Sequence, residues 1–67
     1  MKYVYLVFEE CHGLIGVYEN SENATKRVKQ DVLESCPELL NEQPDYNSQW
    51  CWGWEGATYW EKHEVSQ

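Results

Sequence analysis

Cationic residues are scarce in this chain. Its 67 residues include five lysines and arginines against twelve aspartates and glutamates, so the formal net charge is −7. Three of the five cations (Lys26, Arg27 and Lys29) lie close together, which leaves the rest of the surface almost purely anionic. Such a surface repels nucleic-acid phosphates and anionic lipids. We therefore expect no direct nucleic-acid partner and no membrane partner.

Long apolar runs and paired cysteines are also missing. The apolar run within residues 1–8 is too short for a signal peptide, and Glu9 and Glu10 follow where a cleavage site would fall. No run approaches the roughly 20 residues of a membrane span. Three cysteines without regular spacing do not make a disulfide framework. These features predict a cytoplasmic protein, located in the host cytoplasm if a phage encodes it.

The sequence has no strong metal or catalytic signature. Structural zinc sites show close pairs such as C-x₂-C, whereas the candidate ligands here are scattered: Cys11, His12, Cys36, Cys51 and His63. A Cys11–His12 nucleophile and base would need an orienting group and an oxyanion site, for which so short a chain has little room. We expect no catalytic residue, no cofactor and no metal. The roles of Cys11, His12 and His63 stay open.

Tryptophan is abundant instead. Four tryptophans fall within eleven residues, and the first three, Trp50, Trp52 and Trp54, occupy alternate positions. A period of two predicts a strand whose indoles project from one face. Glu55-Gly56 suits a turn, after which the chain would return as a hairpin partner.

The earlier part of the chain predicts a hairpin and a helix. Residues 2–9 form a strand that is apolar on both faces, so we expect a central strand covered at least in part on each side. Residues 14–18 would return antiparallel, with Gly16 indicating a bulge or close contact with a bulky neighbour. Asn20 or Ser21 would cap a helix.

Pro37 would end that helix, and a loop with a short turn at residues 38–41 would follow. The result is a single α+β domain over residues 1–67, in which a four-stranded antiparallel sheet (ββαββ order) carries one helix on one face. The apolar stripe of the helix consists largely of small side chains. The tryptophans either lie beneath it as core or line the open face as an apolar patch, the kind of surface that marks an interface.

Residues 3–24 and 59–65 resemble a loosely defined group of uncharacterised small phage and bacterial domains. The shared features are a first strand, an Ile-Gly-Val-Tyr second strand (residues 15–18), a Ser-x-x-Ala helix start (residues 21–24) and an aromatic and acidic last strand. The resemblance implies a ββαβ-type fold and no activity or functional residue. The tryptophan strand departs from the pattern.

We predict a protein-binding module, encoded by a phage, that inhibits or modulates a host or defence protein. Aromatic anchors and acidic steering would direct it to a basic surface, including one that normally binds nucleic acid. The predicted partner-binding residues are Trp52, Trp54, Tyr59, Trp60, Glu55 and Glu61. Two alternatives stay open: a structural homo-oligomer such as a homodimer joined through the aromatic face, and a nucleotide or small-ligand binder that stacks its ligand on indoles.

Overall fold

In the computed structural model, which describes residues 2–65, the chain forms a five-stranded antiparallel sheet with one α-helix packed on it. The strands are β1 (Lys2–Glu9), β2 (Gly13–Tyr18), β3 (Tyr46–Asn47), β4 (Cys51–Gly53) and β5 (Thr58–Val65). Helix α1 (Ser21–Ser35) follows β2, and a 3₁₀ helix (Pro37–Asn41) follows α1. The order across the sheet is β2-β1-β5-β4-β3. The α+β class and the single α-helix on one sheet face are confirmed.

The predicted number of strands is wrong, because the sheet has five strands and not four. The additional strand β3 lies in the stretch predicted as loop, where it pairs Tyr46 with Gly53 and Asn47 with Trp52. Two residues carry no recognisable period, and the preceding Pro44 is typical of a loop. This strand depends on its partner β4, so the local sequence alone does not reveal it.

The long strands β1 and β5 form the centre of the sheet. They pair from Lys2 opposite Val65 to Glu9 opposite Thr58. On the other side of β1, the register with β2 shifts between Val7 and Phe8, which leaves one extra residue in β2. The predicted bulge near Gly16 is therefore confirmed.

Gly16 also makes the predicted close contact with a bulky neighbour. A Cβ atom at this position would lie 2.8 Å from Cε2 of the Tyr18 ring. The absence of a side chain at Gly16 thus lets the Tyr18 ring lie over the backbone. Tyr18 in turn packs against the core, and its hydroxyl accepts a hydrogen bond from Arg27 of α1 at 3.3 Å.

The core lies between α1 and one face of the sheet. Its buried members are two indoles and four small or β-branched side chains: Val7, Ala24, Val28, Val32, Trp54 and Trp60. A large ring buries roughly 150–250 Å². Trp54 and Trp60 therefore supply the volume that the narrow apolar stripe of the helix lacks. Of the two alternatives for the tryptophans, these two residues follow the first, with large rings beneath small helix side chains.

Three polar contacts define where the helix begins and how it sits on β5. Asn20 caps the helix, since its side-chain oxygen accepts a hydrogen bond from the Asn23 amide at 2.8 Å. The Trp60 indole N–H donates to Thr25 Oγ1 at 2.9 Å. The Thr58 hydroxyl donates to the Asp31 carboxylate at 2.6 Å. Because the β5 core residues Thr58 and Trp60 bond to helix residues six positions apart, the helix has one preferred register on the sheet.

The Trp60–Thr25 contact gives the first prediction. We expect Thr25→Val to lower the free energy of unfolding by about 1–3 kcal/mol, because the buried indole N–H loses its acceptor while the side-chain shape is kept. Urea denaturation followed by tryptophan fluorescence measures the change. Thr25→Ser, which keeps the hydroxyl, is the control and should lose less stability. A Thr25→Val protein as stable as the unmodified chain would contradict this role.

Candidate functional site

One face of the sheet carries no helix within residues 2–65. Both α1 and Leu39 of the 3₁₀ helix pack against the core on the other face. Since side chains alternate along a strand, the even-numbered residues of β1 point away from that core. We call the uncovered side the open face. Across β1, β2, β4 and β5 it carries Lys2, Val4, Leu6, Phe8, Leu14, Val17, Cys51, Tyr59, Glu61, His63 and Val65.

This placement corrects one expectation about β1. The strand is central, as predicted, but a helix covers it on only one side. The apolar residues on its second side, Val4, Leu6 and Phe8, are half-buried by their neighbours in the sheet. A strand that is apolar on both faces therefore indicates here one core face and one half-buried apolar face without a covering helix in residues 2–65.

The open face is apolar and well exposed at its β2 edge. Leu14 is 52% exposed and Val17 is 57% exposed, and they pair with Phe8 and Leu6 respectively. The Phe8 and Tyr59 rings stack with their centroids 5.6 Å apart. Contiguous apolar patches on a monomer mark interaction sites more often than single exposed apolar residues do.

A cleft lies at the end of the open face where two turns meet. The Glu10 amide donates to the Ala57 carbonyl at 2.9 Å, which joins the β1–β2 turn to the β4–β5 turn. The cleft encloses about 360 Å³, within the range of roughly 300–1,000 Å³ that is typical of ligand sites. We call it the acidic cleft. Its lining is aromatic and acidic, with no lysine or arginine: Phe8, Glu9, Glu10, Gly13, Tyr46, Glu55, Gly56 and Tyr59.

The acidic cleft has a negative potential at its aromatic floor. Desolvation and, after it, the charge of Glu55 raise the pKa of Tyr46 above its ordinary value. Desolvation and then the charge of Glu61 raise the pKa of Tyr59. Both phenols therefore remain neutral at physiological pH. The same carboxylates that oppose a phenolate favour a cation placed over these rings.

The Glu9 carboxylate forms hydrogen bonds within the turn beside the cleft. Its Oε2 accepts a hydrogen bond from the Cys11 amide at 3.0 Å, and its Oε1 contacts Nδ1 of His12. The bond from the Cys11 amide, followed by the His12 contact, lowers the pKa of Glu9. By contrast, the Glu10 and Glu55 side chains make no hydrogen bond or ion pair within residues 2–65. These two carboxylates are the ones available to a ligand.

Three predicted partner-binding residues lie on the helix side of the sheet. Trp54 and Trp60 are each 4% exposed, so their proposed role as partner anchors is corrected: they are core residues. Trp52 is half-buried beside them, with its ring 5.3 Å from that of Trp54 and 5.7 Å from Nζ of Lys29. The helix shelters these indoles because its facing side chains are small enough to accept them.

The other three predicted residues lie around the open face. Tyr59 and Glu55 line the acidic cleft. Glu61 lies two residues after Tyr59 in β5 and therefore on the same face. Its carboxylate contacts Nε2 of His63 at 2.9 Å. The structure thus brings together one predicted aromatic residue and two predicted carboxylates.

Sequence reasoning missed four residues of this surface: Phe8, Leu14, Val17 and Tyr46. The available signal was the apolar character of both faces of residues 2–9, which indicated an apolar surface opposite the core. Tyr46 gave no such signal, because its ring reaches the cleft through β3 and lies 5.2 Å from the Tyr59 ring.

Trp50 is the most exposed tryptophan, at 51%, but it belongs to a different cluster. Nζ of Lys62 lies 4.4 Å from the Tyr3 ring and 5.3 Å from the Trp50 ring. These distances are within the range of about 6 Å for a cation–π contact. A cation of the chain itself therefore occupies this aromatic cluster.

The potential metal ligands do not come together in the part of the chain that the structure describes. Among residues 2–65, no group of three or more His, Cys, Asp or Glu side chains is placed to hold a metal ion. Cys11, Cys36 and Cys51 are free thiols. No helix in the same range is both long and apolar enough to cross a membrane.

Comparison with protein-family models, with curated proteins and with solved structures gave no match. The resemblance to small phage and bacterial domains therefore stays a resemblance. The function has to be argued from the open face and the acidic cleft.

The Glu9 contacts predict a pH-dependent contribution to stability. The pKa of Glu9 in the folded chain is below its ordinary value of 4.5, so ionised Glu9 stabilises the fold above that pH. This contribution is lost as the pH falls through the lowered pKa. We therefore expect Glu9→Gln to reduce the free energy of unfolding at neutral pH, and the difference from the unmodified chain to shrink in acid.

Urea denaturation at a series of pH values measures this difference. Glu10→Gln is the matched control, because it removes the neighbouring carboxylate without removing a turn hydrogen bond. A Glu9→Gln deficit that stays constant from acid to neutral pH would show that the ionised carboxylate does not stabilise the turn.

Proposed function

We propose that this chain is a protein-binding module whose open face and acidic cleft together dock a basic partner. The observation that carries the proposal is the continuity of the two features. An exposed apolar surface at Leu14 and Val17 leads directly to a cleft whose rim bears Glu10 and Glu55. A partner segment with apolar residues next to a cation would satisfy both.

The charge distribution supports a basic partner. The chain has a net charge of −7, and the single lysine of the open face, Lys2, lies at the end away from the cleft, beside Glu19 at 3.9 Å. Carboxylates around an apolar surface speed association with positively charged partners and disfavour negatively charged ones. Binding should therefore weaken as salt rises and the Debye length falls from about 30 Å to about 3 Å.

The biological role we propose is that of a phage-encoded inhibitor or modulator of a host or defence protein. Covering a basic surface would block whatever that surface normally holds. Where the normal ligand is nucleic acid, the carboxylates of this chain would compete with its phosphates. The acidic composition and the resemblance to phage and bacterial domains support this role.

The two alternative functions fit the geometry less well. Self-association through the open face would bring two acidic clefts, each on a chain of charge −7, close to one another. Stacking of a nucleotide on indoles would need exposed rings, whereas Trp54 and Trp60 are buried in the core. Phosphate groups would also be repelled by the cleft carboxylates. A basic protein partner meets neither difficulty.

Matched substitutions on opposite surfaces test the proposal. Val17→Lys places a charge in the open face, and Leu33→Lys places the same charge on α1 at a residue of similar exposure, 58% against 57%. We expect affinity capture from host lysate, quantified by mass spectrometry, to recover a basic protein with the unmodified chain and with Leu33→Lys. Val17→Lys should reduce its recovery at least about tenfold, the effect of roughly 1.4 kcal/mol at an interface.

Sedimentation of the three proteins at micromolar concentration completes this test. The proposal expects monomers throughout. If the unmodified chain forms a dimer that Val17→Lys dissociates, the open face binds a second copy of the chain and not the proposed basic partner. Equal recovery of every captured protein by the two lysine variants would remove the open face as the binding surface.

A further inference from the structure

We infer that the acidic cleft is a receptor for one arginine side chain of the partner. This inference rests on the proposed function, because it assigns to a part of the docking surface the residue type that it recognises. The inference names the chemical group, a guanidinium, that this part of the surface recognises.

The floor of the cleft suits a flat cation. The Phe8 and Tyr59 rings stack with an angle of only 27° between their planes, and both rings line the cleft. Tyr46 adds a third ring to the lining, tilted by 60° relative to Tyr59. A cation within about 6 Å of such a ring centroid is attracted by the π electrons, and a planar guanidinium can also stack on the ring.

The rim supplies two carboxylates next to the same backbone turn. Glu55 precedes Gly56 in the chain, and Oε2 of Glu10 lies 3.6 Å from where a Cβ atom of Gly56 would be. Gly56 adopts a φ of 79°, a conformation that glycine tolerates well, and it lines the cleft together with Glu10 and Glu55. A group that binds in the cleft therefore has two carboxylates among the residues that line its site.

These two features together favour arginine over lysine. The guanidinium carries five N–H donors in a planar fork, so it can bond to more than one carboxylate while its face rests on an aromatic ring. Lysine offers a compact, strongly hydrated ammonium that does not stack. Anions such as phosphate are excluded by the carboxylate rim. The cleft therefore selects for both positive charge and planarity.

Titration with a minimal probe tests the inference. N-acetyl-arginine N-methylamide is added to the ¹⁵N-labelled full chain, and amide shifts of Phe8, Gly56 and Tyr59 report on the cleft. We expect binding with a dissociation constant on the order of 1–10 mM, as for a single small group. The citrulline analogue, which is planar but neutral, should bind at least about tenfold more weakly, and the lysine analogue severalfold more weakly.

Charge-matched variants locate the binding site. The double variant Glu10→Gln/Glu55→Gln should weaken arginine binding at least about tenfold. Glu34→Gln/Glu42→Gln removes two exposed carboxylates that do not line the cleft, and it should leave binding unchanged. All four positions are exposed, so unaltered thermal unfolding checks that each variant is folded. Equal binding of the arginine and citrulline probes, or an unaffected cleft double variant, would overturn the inference.

The cleft inference and the proposed function fail in different ways. If Val17→Lys abolishes partner capture while Glu10→Gln/Glu55→Gln leaves it intact, the open face binds the partner and the arginine receptor is wrong. If the probe binds as expected but Val17→Lys has no effect on capture, the cleft is a cation site and the proposed docking face is wrong. Loss of capture by both variants, together with selective probe binding, supports both.

Discussion

The structure depends on one constraint: a single α-helix can cover only one face of the sheet. The covered face takes the two largest buried rings, Trp54 and Trp60, against small side chains of α1. The hydrogen bond between Trp60 and Thr25 and that between Thr58 and Asp31 hold the helix at this position. Burial of the indoles therefore leaves the apolar residues on the opposite face of β1 without a helix from residues 2–65 to cover them.

Electrostatics divides the exposed surface into distinct regions. On the helix side, Lys62 occupies the aromatic cluster around Tyr3, and Lys29 lies over the Trp52 ring. The acidic cleft has no lysine or arginine in its lining, and Glu9 is held by its own turn. Two carboxylates without a hydrogen bond or ion pair in residues 2–65, Glu10 and Glu55, thus lie at the cleft end of the open face. A surface of this kind distinguishes a cationic partner from an anionic one before any side-chain fit is tested.

Much of the fold could be predicted from local signals, because these depend on residues close together in the chain. The helix cap at Asn20 or Ser21 and the bulge near Gly16 follow from such signals. Strand β3 could not be predicted, since it is defined by pairing with β4, in which Tyr46 lies opposite Gly53. The predicted partner-binding residues do not all lie at the surface, for a related reason. Tryptophan is typical of both cores and interfaces, so composition cannot decide whether Trp54 and Trp60 are buried or available.

Oxidative footprinting of side chains, alone and with the captured partner, tests the central claim most directly. In the isolated chain, the account predicts rapid hydroxyl-radical modification of Leu14 and slow modification of Trp54 and Trp60. In the complex, Leu14, Phe8 and Tyr59 should become protected, while Trp50 and Leu33 should react as before. Protection of Trp50 or Leu33 with no change at Leu14, Phe8 and Tyr59 would show that the partner binds the helix side, and the account would be wrong.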